Sequence, residues 1–178
     1  MHKVILSIIF ILPLFLGCSS SKKTDTNDTI SLRSPEEIYA SGMSLFNNQN
    51  FLSAEEEFKS LQKLYPLSNE SIQSEVMVGF IKYLQMDYDS SISKFKKFIL
   101  KYPSHNNLDY AYYMIAVNNY EQINHFELDG QFNEIALQSF NQVIARFPES
   151  EYTKDSFQKI ILIKSNKAAK HMDIGRFY

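Results

Sequence analysis

The chain has 178 residues, a formal net charge of −2, one cysteine and no tryptophan. Mild acidity without a basic stripe argues against nucleic acid as a partner. A single cysteine excludes an intramolecular disulfide, and the five glycines form no phosphate-cradling loop.

The N-terminus comes first in chain order. Met1-His2-Lys3, an apolar run from Val4 to Leu16 and then Gly17-Cys18 read as an export signal, with a basic start, an apolar stretch and a small residue before the processing site. The run is shorter than the ~20 residues that span a bilayer. The stretch LFLGC, residues 14–18, resembles the lipobox of bacterial lipoproteins, with Leu14, Leu16 and Gly17 before the cysteine. That resemblance implies a signal peptide over 1–17, cut before Cys18. It also implies a diacylglycerol on the cysteine sulfur and an acyl chain on the new amino terminus. Several acyl chains anchor firmly where a single chain binds marginally. Ser19 rather than Asp follows the cysteine, which by the sorting pattern of such lipoproteins implies the outer membrane. Residues 18–34 are mostly polar and read as a tether. The remainder, from Pro35, suffices for one domain of ordinary size.

From Pro35 onward the chain repeats. Residues 35–68 and 72–105 each form a 34-residue unit, and LYPLS (64–68) ends the first where KYPSH (101–105) ends the second. Gly42 matches Gly79, Ala54 matches Ser91, Phe58 matches Phe95, and Pro66 matches Pro103. A third unit, 109–150, supplies Ala116, Ala136, Phe140 and Pro148 at the corresponding places, with an insertion near 118–132. This register resembles the tetratricopeptide repeat, a helix–turn–helix unit of about 34 residues. The resemblance implies an all-α fold, a solenoid of antiparallel helix pairs. Small residues let paired helices approach, large ones fill the joint, and each proline ends its second helix because its ring cannot continue the hydrogen-bond ladder. Residues 151–178 read as a linking helix and then the start of a further helix with Gly175 in its small position, either an atypical cap or, the favoured reading, a fourth unit cut short.

Candidates for chemistry are sparse. His2, His105, His125 and His171 are scattered and compose no metal-ligand spacing. Glu55-Glu56-Glu57 reads as a solvated helix face, and Asp87, Asp89 and Asp129 as caps or turn residues. No catalytic or metal site is expected. The repeat instead suggests a surface. Positions along the first helix of each unit should line its inner curve: Tyr39, Met43 and Phe46; then Val76, Phe80 and Tyr83; then Tyr110, Tyr113, Val117 and Tyr120. Tyrosine suits a wet groove, since its ring packs while its hydroxyl stays solvated. The competing expectation is that these rings pack helix against helix.

Several stretches together carry a closer resemblance: residues 35–68, YPSHNNLDYAYYM at 102–114, and the run from Phe140 through RFPES to the last residue. They resemble the BamD family, also called ComL or YfiO, the tetratricopeptide lipoproteins of the outer-membrane β-barrel assembly machinery. Membership implies a non-catalytic scaffold facing the periplasm of a Gram-negative bacterium. Its partners would be the barrel-forming core subunit, the machinery's other lipoproteins, unfolded outer-membrane proteins and outer-membrane lipid through Cys18. The alternative is another periplasmic repeat lipoprotein, one that organises cell-wall or envelope complexes.

Overall fold

The computed structural model describes residues 33–125 and 130–177. Cys18, the signal peptide 1–17, most of the tether and Asp129 lie outside the described residues. Seven helices follow one another: α1 (Pro35–Asn47), α2 (Phe51–Leu64), α3 (Asn69–Leu84), α4 (Tyr88–Lys101), α5 (Leu108–His125), α6 (Gly130–Arg146) and α7 (Tyr152–Phe177). The all-α solenoid implied by the repeat is the architecture observed. Each helix packs on the next. In addition α1, α3, α5 and α7 touch in succession, whereas α2, α4 and α6 do not touch one another. The odd-numbered helices therefore form an inner row and the even-numbered ones an outer row.

Local chemistry sets the helix boundaries, and it recurs. Ser34 caps α1 in a capping box: its hydroxyl accepts from the Glu37 N–H at 3.2 Å, and Glu37 Oε2 accepts from the Ser34 N–H at 2.9 Å. Pro35 follows at the first helical position, where its missing N–H costs nothing. The turns into α2 and α4 are copies of each other. Gln49 and Met86 both adopt the left-handed conformation (φ 60° and 59°), and Asn50 and Asp87 then cap the next helix. At the far ends, Tyr65 and Tyr102 share one cap geometry (φ/ψ −134°/61° and −128°/64°). Pro66 and Pro103 come next.

The joint within each hairpin is a ring laid on a small residue. Phe58, Phe95 and Phe140 are fully buried, as are Ala54, Ser91, Ala116 and Ala136. A Cβ on Gly42 would meet Phe58 Cε1 at 2.6 Å, and one on Gly79 would meet Phe95 Cζ at 3.0 Å. Ser91 belongs in this joint because its hydroxyl donates to the Gly79 carbonyl at 2.9 Å, so the buried polar group keeps a partner. Burying each phenylalanine contributes ~1.5–3 kcal/mol.

Two features differ from the sequence reading or extend it. The acidic run is not a solvated face. Glu55 is buried and pairs with Lys59 at 2.7 Å and with Lys82 of α3 at 2.9 Å; Glu57 pairs with Arg33 at 3.0 Å; Glu56 alone is exposed. Burial would raise the Glu55 pKa, but hydrogen bonds from the two lysines outweigh it and hold the carboxyl below its ordinary value. Second, one continuous α7 covers the stretch from 152 to 177. Its buried Thr153, Ser156, Ile160 and Ile163 stand at the same distances from Pro148 as buried Ser71, Ser74, Val78 and Ile81 stand from Pro66. So α7 takes its place in the inner row from its first turn. Within the insertion, α5 runs on to His125 and α6 starts at Gly130, with 126–129 outside the described residues.

Alanine at the two glycines separates propensity from packing. Alanine is favoured by ~1 kcal/mol within a helix, whereas overpacking a core costs ~1–3 kcal/mol. Gly42→Ala forces the tighter contact onto a ring with nowhere to go, so it should destabilise by about 1–2 kcal/mol. Gly79→Ala, with its looser contacts, should come out within about 1 kcal/mol of neutral. Urea unfolding followed by circular dichroism ranks the two; equal losses would refute the assignment.

Candidate functional site: the aromatic inner row

Ten side chains were expected along the inner curve, and the structure places them in two ways. Val76 and Val117 are buried, at 6% and 8% exposure, inside the core clusters. Tyr39, Met43, Phe46, Phe80, Tyr83, Tyr110, Tyr113 and Tyr120 are half-buried, one side of each packed and the other reaching solvent. At the first two odd-numbered helices the rings form a ladder. Phe51 lies 5.6 Å from Phe46, Phe46 lies 6.0 Å from Phe80 across to α3, Phe80 stacks on Tyr83 at 6.0 Å, and Tyr83 reaches Tyr88 at 6.1 Å. Tyr39 sits apart, against Phe58 at 5.6 Å.

Further along, the tyrosines gather around α7. Tyr113 stacks on Tyr152 at 4.7 Å and donates its hydroxyl to Asp155 Oδ2 at 2.8 Å. Tyr110 packs on Phe95 edge-on and on Tyr152 at 5.6 Å. Tyr120 meets Phe140 at 6.3 Å, and the Lys159 ammonium lies 4.4 Å over its ring, a cation–π geometry.

Tyr152 and Asp155 escape the sequence reading for different reasons. No aromatic precedes Tyr152 at its place in the earlier units, so periodicity carries no signal for it. Asp155 does have a signal: it stands as far beyond Pro148 as Gln73 beyond Pro66 and Tyr110 beyond Pro103. Carrying the proline phase one unit further would have found it.

The inner row offers rings and hydroxyls rather than reactive groups. Among the described residues, no group of three His, Cys, Asp or Glu side chains lies close enough to hold a metal ion. Nor, among the described residues, is any helix long and apolar enough to cross a membrane. A shallow cavity of about 520 Å³ opens elsewhere, between the turns at 104–109 and 146–150, where Ser150 donates to Asp109 at 2.7 Å.

Burial leaves a titration signature. It raises the pKa of Tyr110 and Tyr113 well beyond the usual phenol range, and the Asp155 carboxylate adds to the effect at Tyr113. Tyr152 is pushed up to about 12, again chiefly by burial. An unfolded chain ionises its tyrosines near 10. Below that pH both states keep these protons, so stability is insensitive to them. Above it the unfolded chain releases protons that the folded chain holds, and stability falls as pH rises. Tyrosinate absorbance should therefore show a group of the eleven tyrosines ionising late, together with unfolding. Tyr113→Phe should flatten the alkaline fall in stability and cost about 1 kcal/mol at neutral pH through the lost hydrogen bond. An alkaline limb unchanged in this variant would contradict the burial argument.

Comparison with known proteins places the chain in a family and supports its fold. The chain matches the family described as YfiO, outer membrane lipoprotein, over residues 32–178. It is 32% identical over 174 residues to the outer membrane protein assembly factor BamD of Rickettsia prowazekii, covering 98% of this chain and 68% of that protein. It is 29% identical over 175 residues to BamD of Caulobacter vibrioides, covering 98% of this chain and 57% of that one. The chain thus spans little more than half the length of the second relative. Among solved structures, a MamA RS-1 double mutant superposes with a TM-score of 0.51 at 16% identity, covering 79% of this chain and 80% of that one, a likeness of fold alone. On the extent of the family match and the identity to its members, this chain belongs to the YfiO family of outer membrane lipoproteins, the family of the assembly factor BamD.

Proposed function

We propose that the chain is a non-catalytic scaffold of the outer-membrane β-barrel assembly machinery. It is held to the periplasmic face of the outer membrane through acyl chains on Cys18. It binds the barrel-forming core subunit and the machinery's other lipoproteins, and receives segments of unfolded barrel proteins on its inner row. Family membership and the names of its relatives support the machinery. The observation that carries the substrate reading is the run of half-buried rings along α1, α3 and α5. Such rings are rigid, lose little entropy on contact, and pack against the alternate apolar side chains of an extended segment. Solenoids present surfaces of this kind and rarely house reactions.

Photo-crosslinkers placed at Tyr39, Phe80 and Tyr113 in cells should trap nascent barrel proteins, and the barrel-forming subunit should copurify in gentle detergent. Capture of cell-wall enzymes alone, with no barrel subunit, would favour the envelope-organising alternative. For the anchor, Cys18→Ala should shift the protein out of the membrane fraction or leave it unprocessed; unchanged fractionation would refute lipidation at this residue.

A further inference from the structure

The outer row carries a second feature, at one edge of the array. Because α2 and α4 run antiparallel to α1 and α3, their C-terminal ends lie on the same edge as the start of α1. A hydrogen bond fixes this: the Tyr65 hydroxyl donates to the Arg33 carbonyl at 2.9 Å, tying the entry into α1 to the turn after α2. On this edge Leu67 is 93% exposed and Leu100 82%. Leu64, also on this edge, is partly exposed. Exposed lysines flank them, Lys63 on α2 and Lys96 and Lys97 on α4. Cations near helix C-termini offset the helix dipole, but that explains no leucine. On the opposite edge Leu52 and Met86 are exposed too, but the exposed charges next to them are acidic, Glu56 beside the first and Asp87 and Asp89 beside the second, while Lys82 near Met86 is engaged by Glu55. On the entry edge the nearest acid to Leu67, Glu70, is half-buried. Of these two edges, the one where the chain enters joins exposed leucine to exposed lysine; α7 also carries such a pairing, Ile161 and Leu162 with Lys164.

We propose that this edge rests on a lipid surface bearing anionic headgroups, with Leu67 and Leu100 entering the interface and the lysines lying among headgroup phosphates. Leucine beside lysine is the composition of interfacial segments, whose apolar groups sink while their cations meet anionic lipid. The place of entry supports the same occupant. Cys18 precedes Arg33 by about 15 residues, a length that reaches at most ~50 Å when extended. It joins the fold on this edge, and the opposite edge is one helix length, ~20 Å, away. The inference rests on Cys18 being the lipid anchor, and the test separates the two claims.

The chain has no tryptophan, so Leu67→Trp, Leu100→Trp and, as the control, Leu52→Trp each introduce one fluorophore. All three sites are exposed, so none of the substitutions disturbs the core. The full acylated chain is reconstituted into phosphatidylethanolamine–phosphatidylglycerol vesicles with or without brominated acyl chains, and flotation reports the anchor. Emission at 67 and 100 should be blue-shifted and at least about twofold weaker with brominated lipid, while emission at 52 should be unchanged. A protein that floats but is unquenched at 67 and 100, or equally quenched at 52, overturns the lipid edge and leaves the anchor standing. A blue shift that needs added barrel-assembly subunit, without quenching, overturns it in favour of a protein contact. Failure to float overturns the anchor and this proposal with it.

Discussion

The array depends on one contact, an aromatic ring of an even-numbered helix lying flat on a residue with almost no side chain. Phe58 on Gly42 and Phe95 on Gly79 set how closely the two helices of a hairpin approach. That approach brings the next joint residues, Leu61 and Phe98, into full burial. Because the contact is tight, it also fixes rotation about each helix axis. Rotation in turn decides which side chains of α1, α3 and α5 face the open curve. Interiors this dense do not absorb an added methyl group without movement, so the geometry of the inner row is inherited from the joints behind it.

The turns keep this geometry in phase. Gln49 and Met86 adopt a left-handed conformation that non-glycine residues enter at a cost of ~1–2 kcal/mol. They hold it at matching points of successive units. A backbone held twice in the same unfavourable place is over-determined by its surroundings. Here the surroundings are the capping side chains of Asn50 and Asp87 and the packed helices on either side.

Much of this was legible in the sequence, because a repeat averages its own noise. A small residue, a phenylalanine and a proline in one fixed order mean little once and much three times. What stayed hidden depends on partners that do not repeat. Glu55 looks solvated until Lys82 arrives from the next hairpin. Val76 and Val117 share the helix positions of the half-buried rings, yet a short branched side chain at those places stops within the core while a longer ring reaches past it. Tyr152 joins the tyrosine cluster with no counterpart in earlier units. Helical periodicity tells which face a residue occupies; it does not tell how far along that face the neighbouring helix extends.

The two rows also differ in how they carry force. Inner helices abut one another, whereas any load passing from α2 to α4, or from α4 to α6, must travel through the inner helix between them. A molecule lying lengthwise along the inner row would therefore brace every hairpin at once and stiffen the whole array. One pressed against a single outer helix would strain only that hairpin and its immediate neighbour.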